Sequence, residues 1–334
     1  MNSKGIASRR GMLAAALGGA GSAALPGPAM AQGAEAWPAR PIRILVGFGP
    51  GGVTDVVIRL FAEALRTRLP QPIIIENRIG ASGMVAAGLV ARAAPDGYVL
   101  IAIPGTITIV PAIMASQPVD VLNDLEPISL FATSPNVMVI NPSFPARNMQ
   151  EFLAYARARG PEDIAYASSG VGTTVHFTAG MLEAATGIRM RHVPYRSSNE
   201  SIQAVIAGTL PVVFSSVNSA LAHIQAGTVR AIGVATEHRS AFLPEVPTFA
   251  EGGVANVQSD TWFGLAGPAG MPRPLVDRIA ALFREVMQDP WTRTRLAALG
   301  AEPLGLGPDE FRALMQREVA EFRRLAAVMG IRPE

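Results

Sequence analysis

Apolar and polar positions along the chain fall into short runs of two alternating periods. "IRILV" at 42–46 is a continuous apolar strand pattern. The following "TDVVIRLFAEALRTRL" sets Val57, Leu60, Phe61 and Leu65 on one helical stripe. "PIIIENR" predicts a second strand, "GMVAAGLVARAA" a helix of small residues, and "YVLIAI" a third strand. Such alternation implies a parallel sheet covered on both faces, since each apolar strand must bury both of its sides.

The alternation resumes after Pro142. Helices are expected at "MQEFLAYARAR", "TVHFTAGMLEAAT", "NESIQAVIAG" and "ALAHIQAG", with strands at "IAYAS", "MRHVPY", "PVVFSS" and "VRAIGVA". Two long helical tracts close the chain. In the second, "PDEFRALMQREVAEFRRLAAVMG", a buried stripe runs through Phe311, Leu314, Met315, Phe322, Leu325 and Met329. "SPNVMVINPS" and "SDTWFGLAGP" read as extended segments that bracket a middle block. A block entered and left by strands suggests a second lobe. Ligands of open α/β sheets bind beyond the carboxyl ends of the strands, so two such lobes would enclose a cleft.

The first 31 residues stand apart from this pattern. "SRRGMLAAALGGAGSAAL" carries paired arginines, Arg9 and Arg10, before a weakly apolar run, and "AMA" ends at Ala31. The run is shorter than the roughly 20 residues a spanning helix needs. An export signal over 1–31 is expected, of the twin-arginine type, cleaved before Gln32, with a periplasmic product.

Charge and composition then narrow the chemistry. The chain has 28 lysines and arginines against 26 acids, but Lys4, Arg9 and Arg10 fall in the signal. The remainder is close to neutral and has no lysine, so no basic face is implied and nucleic acid is not an expected partner. The absence of lysine excludes a Schiff-base enzyme and a Walker loop. The absence of cysteine excludes thiol chemistry and disulfides. The four histidines, at 176, 192, 223 and 238, never take the spacing of a zinc pair. No cofactor and no metal are expected.

Two glycine-rich loops remain. "FGPGGVTD" at 48–55 lacks the phosphate-loop lysine. Gly47, Gly49 and Gly52 have dinucleotide-loop spacing, yet Pro50 removes a donor. What is left is a glycine-lined helix N-terminus, which suits a carboxylate; the alternative is a plain turn capped by Asp55. "YASSGVGTTVHF" offers hydroxyls as well as backbone donors. It fails as a hydrolase elbow, because Ala167 and Val171 stand where the flanking glycines belong. A hydrolase built on Ser169 and His176 stays as a rival from another class. "NRIGASGM", "IPGT", "VPYRSS" and "SSVNS" also fall at strand ends and could line a cleft.

"WPARPIRILVGFGPGGVTD", "ENRIGASGMVAA", "APDGYVL", "YASSGVGTTVHF", "RHVPYR", "AGTLPVVFSS", "AGTVRAIGVATEHRSAFLPEVPTFAEGG" and "WFGLAGPAGMP" together resemble the solute receptors of tripartite tricarboxylate transporters, the Bug receptors. The resemblance implies an α/β, two-lobed type II periplasmic binding protein. Each lobe would hold a central, mostly parallel sheet flanked by helices, with two crossing strands as hinge. One lobe would comprise 32–135 and 262–334, the other 136–261. It further implies a carboxylate held by backbone amides and bridging water at residues 50–55 and 168–174.

The expected binding residues are Phe48, Pro50, Gly51, Gly52, Thr54 and Asp55 on the first loop, with Ser82, Gly83 and Thr106 nearby. From the second lobe come Ser168, Ser169, Gly170, Gly172, Thr173, Thr174 and His176, then Tyr195, Ser197, Ser215 and Asn218. No catalytic residue is expected. Ile79, Ser197 and the "GVGT" stretch depart from the family's usual pattern, and Ser197 adds bulk near the far end of a ligand. The resemblance implies a monomer that passes a small organic acid to integral membrane permease subunits. That acid could be a di- or tricarboxylate, an aromatic acid or an amino acid. A receptor for a membrane sensor kinase would share the same fold and ligand.

Overall fold

A computed structural model describes residues 37–331 and 333. The expected export signal at 1–31 lies outside the described residues. The first half of the chain runs β1 (Ile42–Val46), α1 (Val53–Leu65), β2 (Ile73–Asn77), α2 (Met84–Ala91), β3 (Val99–Pro104), α3 (Thr106–Ile113) and β4 (Leu125–Ile140). There follow α4 (Met149–Arg157), β5 (Ala165–Ser168), α5 (Thr174–Thr186), β6 (Arg191–Pro194), α6 (Ser198–Ile206), β7 (Val212–Ser216), α7 (Val217–Gln225) and β8 (Arg230–Val234). The chain closes with β9 (Asp260–Pro268), α8 (Arg273–Gln288), α9 (Pro290–Ala298), β10 (Glu302–Leu306) and α10 (Pro308–Val328).

The strands lie in the order β2-β1-β3-β9-β4-β7-β5-β6, with β8 and β10 also on β4. The outer strands are parallel: β1 with β2 and β3, β5 with β6 and β7. Every pairing made by β9 or β4 is antiparallel. The expectation of mostly parallel sheets is therefore corrected to a mixed one. Alternation of strands and helices marks the parallel βαβ units, but carries no information on the direction in which a returning strand inserts. β4 passes from one half to the other. It pairs β9 over residues 125–135 and then β7 and β8 from Asn136 to Ile140.

Each half is buried on both sheet faces. Along β4, Met138 and Ile140 enter one cluster with Phe152, Tyr166, Phe177 and Phe214, while Val137 and Val139 enter another with Ile202, Val205 and Val213. Leu45, Ile101, Leu130, Trp262, Phe311 and Met315 form the core of the first half. Helix α10 serves both halves. Its Phe311, Met315 and Val319 belong to the first core, and its Phe322, Leu325 and Ala326 to the core built on β5 and β7.

Three elements escaped the sequence pattern. α3 carries β-branched residues and Pro111, a poor local helix, and is held by burial of Ile107, Ile109 and Val110. β10 contains Pro303 and Gly305 and pairs only through a register shift with β4. α9 continues directly from α8 across Asp289, whose carboxylate accepts from Trp291 N–H and starts the new helix.

Candidate functional site

The carboxyl ends of β1, β3, β5, β6 and β7 open into one cleft of about 480 Å³ between the two halves. That volume lies within the range of small-molecule sites. Among the described residues, the first turns of five helices line it. These are α1 through Gly52, Val53 and Thr54, α3 through Thr106, α5 through Thr173, Thr174 and Val175, α6 through Ser197, Ser198 and Asn199, and α7 through Ser216 and Ser219. α1, α3 and α7 are not capped by their own N-cap side chains, although in α7 the Asn218 N–H is taken up by Ser134 Oγ. Each such end presents unpaired N–H groups and roughly half a positive charge. No acidic residue lines the cleft, and Arg196 is the one formally charged residue among the lining residues.

The loop before α1 is held from beneath. Gly51 turns through φ +76°, a conformation that favours glycine, and its N–H donates to Asp55 Oδ2 at 2.9 Å. Arg59 Nε donates to the same oxygen at 2.9 Å, and Asn77 Nδ2 donates to Asp55 Oδ1 and to the Phe48 carbonyl, each at 2.9 Å. Burial works to raise the Asp55 carboxyl, but the hydrogen bonds from Arg59, Gly51 and Asn77 outweigh it and hold the group below the usual carboxylate range. Asp55 thus faces the loop's underside and does not line the cleft, in contrast to its expected binding role. It is not the N-cap either, since Gly52 holds that position. Gly83 is also a support. A Cβ on Gly47 would sit 2.4 Å from the Gly83 Cα, so the two loops touch backbone to backbone. Ser82, beside it, is exposed and does not line the cleft.

The second loop divides in the same way. Ser169, Thr173 and Thr174 line the cleft, while Ser168, Gly170 and Gly172 shape it. Ser168 Oγ accepts from Gly170 N–H at 3.1 Å and meets His192 Nε2 at 2.6 Å. Gly172 has φ +75°, and its N–H donates to His176 Nδ1 at 3.2 Å. His176 is buried and stacked on His192 with ring centroids 4.0 Å apart. Burial, and then the neighbouring His192, pushes His176 down to about 3, and burial takes His192 to about 4. Both imidazoles are neutral near pH 7. They face a separate, smaller cavity shared with Tyr166 and Glu183, so Ser169 and His176 are not brought together as a hydrolase would need.

The floor is a chain of hydroxyls at the crossing strands. Thr174 Oγ1 meets Thr261 Oγ1 at 2.7 Å, Thr261 Oγ1 donates to Asn136 Oδ1 at 2.9 Å, and Asn136 Nδ2 donates to Thr178 and Ser259. Of the remaining expected residues, Phe48, Pro50, Gly51, Thr106 and Ser197 line the cleft. Tyr195, Ser215 and Asn218 do not. Tyr195 N–H donates to the Ser168 carbonyl, Ser215 is buried, and Asn218 N–H donates to Ser134 Oγ. The Ser197 hydroxyl caps α6 by accepting from Glu200 N–H at 3.2 Å, so its departure from the family pattern has a helix-capping role.

The segments "VPYRSS" and "SSVNS" do reach the cleft, but through Arg196, Ser216 and Ser219, which were not singled out within them, and Thr261 and Phe263 lay outside every candidate segment. The signal for Thr261 and Phe263 was strand parity, because their neighbour Trp262 points into the core. Ser216 was missed by one position in the same way, with Ser215 turned to the interior.

Two lobes joined by crossing strands, with parallel-strand ends and helix N-termini facing a shared cleft, define the two-lobed type II binding proteins of the periplasm. Within that class the chain belongs to the tripartite tricarboxylate transporter receptor family (TctC), whose sequence profile matches residues 57–331. Protein BugT of Bordetella pertussis is 30% identical over 92% of this chain and 94% of its own. Among solved structures, R. palustris Rpa4515 with adipate superposes with a TM-score of 0.81 at 29% identity, covering 89% of this chain and all of that one. MatC from Rhodopseudomonas palustris with bound malate gives 0.74 at 29% identity, over 86% and 99% of the two chains. No helix among the described residues is long and apolar enough to cross a membrane.

Proposed function

We propose that the protein is a periplasmic solute receptor that captures a small organic carboxylate in the interlobe cleft and delivers it to the permease subunits of a tripartite transporter. The observation that carries the reading is the convergence of five helix N-termini on one cleft without an acidic side chain. Such a field favours an anion and leaves nothing to repel it. The adipate and malate held by related proteins agree with it. In this reading one lobe comprises 32–135 and 262–334 and the other 136–261, and the signal at 1–31 is removed on export. One carboxylate is held by the backbone amides of Val53 and Thr54 on one side and of Ser169, Thr173 and Thr174 on the other, with the hydroxyls of Thr54 and Ser169. The ligand is bound and released unchanged, by a monomer.

A melting-temperature panel of dicarboxylates, tricarboxylates, aromatic acids and amino acids tests this. A ligand present at a hundred times its dissociation constant should stabilise the fold by about 2.7 kcal/mol. If none of these acids shifts the melting temperature, the carboxylate reading fails.

A further inference from the structure

The geometry points to Arg196 as the residue that reads a second anionic group on the ligand, which makes the preferred solute a dicarboxylate. The inference rests on the carboxylate reading above and adds to it the chemistry of the far end. Arg196 lies between β6 and α6, in the half of the molecule opposite the α1 loop, and lines the cleft. Its guanidinium makes no hydrogen bond or ion pair among the described residues. Eight arginines of the first half, at 40, 43, 59, 66, 68, 78, 273 and 312, are tied to acids. Glu200, in the first turn of the helix that follows, is turned to the backbone, accepting from Arg196 N–H at 3.3 Å while its own N–H is capped by Ser197. The cleft therefore places one unpartnered, planar cation across from an uncapped helix N-terminus. Phe48, Val53, Phe263 and Val175 add apolar wall to the same cleft. Two positive ends and an apolar wall match a short chain with a carboxylate at each end. An ω-ammonium group would meet Arg196 with like charge and find no lining carboxylate to receive it. Guanidinium is suited to this role because its fork can engage both oxygens of a carboxylate.

The test is calorimetric titration of three matched series of four to eight carbons: straight-chain dicarboxylates, the monocarboxylates of equal length, and the ω-amino acids. The parent should prefer the best dicarboxylate over its monocarboxylate by at least about tenfold, with the ω-amino acid weakest. Arg196→Ala should weaken dicarboxylates about 20- to 100-fold, the worth of a charge-assisted hydrogen bond, and monocarboxylates less than about threefold. Arg196→Lys should keep part of the preference, and Arg196→Glu should turn it toward the ω-amino acid. Circular dichroism checks that each variant is folded, which the exposed position of Arg196 favours. A parent that binds mono- and dicarboxylates alike, or an Arg196→Ala loss equal in both series, overturns the assignment while leaving the carboxylate reading intact. A parent that binds none of the three series but responds to an aromatic acid or a tricarboxylate in the melting panel overturns this assignment alone, and one that responds to no acid overturns both.

Discussion

Asp55 shows how much the shape of the cleft depends on a residue that does not line it. Its carboxylate gathers the Gly51 N–H, the Arg59 guanidinium and the Asn77 amide, and Asn77 in turn holds the Phe48 carbonyl. Removing it takes one buried acceptor from three donors, of which Gly51 and Arg59 are exposed and Asn77 is half-buried. Because solvent screens the half-exposed Arg59, Asp55→Ala should lower unfolding stability by about 1–2 kcal/mol, and it should weaken ligand binding at least about tenfold. Asp55→Asn should fall between, because it keeps an acceptor for Gly51 but loses the charge facing Arg59. Urea unfolding and titration of the two variants check this, and an Asp55→Ala that binds like the parent would show that the loop holds itself. The native carboxyl is held below its unfolded value, so its contribution is present above the ordinary carboxylate range and is lost as pH falls through the native value. The importance of Asp55 was legible in "FGPGGVTD", but its direction was not. A residue in the first turn of a helix can face the ligand or the loop, and only the partners supplied by Asn77 and Arg59 decide. The same limit applies to Ser215 and Ser216, where a single step along a strand exchanges interior for cleft.

The elements with strong apolar periodicity were readable from the sequence, and α5 begins and ends where its pattern does. α3 was not, because what makes it helical is distant: it packs along α10, and Thr108 Oγ1 donates to Glu318 of that helix at 2.7 Å. Trp262 Nε1 donates to the same carboxylate at 2.9 Å, so Glu318 ties together α10, the crossing strand β9 and the helix whose first turn lines the cleft. Burial raises Glu318 to about 7 despite these donors. The sign follows. The native state holds this proton more tightly than the unfolded chain, so the contribution is full below about pH 4.5 and is lost as pH rises to about 7. Glu318→Gln removes the ionisation. Relative to the parent it should gain stability between pH 5 and pH 8, by about 1–3 kcal/mol, as followed by urea unfolding with Trp262 in the fluorescence signal. An equal difference between parent and variant at both pH values would place the titration elsewhere.

At the scale of the whole molecule, the two-lobed plan was legible because the strand–helix alternation stops and restarts between two extended segments. The antiparallel insertion of β9 and the sharing of α10 between both cores were not, since each is fixed by long-range pairing and packing. The plan matters because each lobe supplies only part of the site. Gly52 belongs to the first wall and Ser169 to the second. Gly52 has φ −68° and a Cβ there would meet the Gly49 carbonyl oxygen at 3.1 Å, so a side chain is crowded but not barred by backbone conformation. A ligand gripped by both walls loses most of its affinity when either wall acquires a negative charge. The most direct measurement is calorimetric titration of the best-binding acid into the parent, Gly52→Asp, Ser169→Asp and the control Thr54→Ala, each confirmed folded by circular dichroism. Gly52→Asp and Ser169→Asp should each cost at least about a hundredfold, or about 2.8 kcal/mol, with Thr54→Ala within about fivefold of the parent. A folded Gly52→Asp or Ser169→Asp that binds as tightly as the parent would contradict the account, because the carboxylate would then sit outside the cleft the two lobes share.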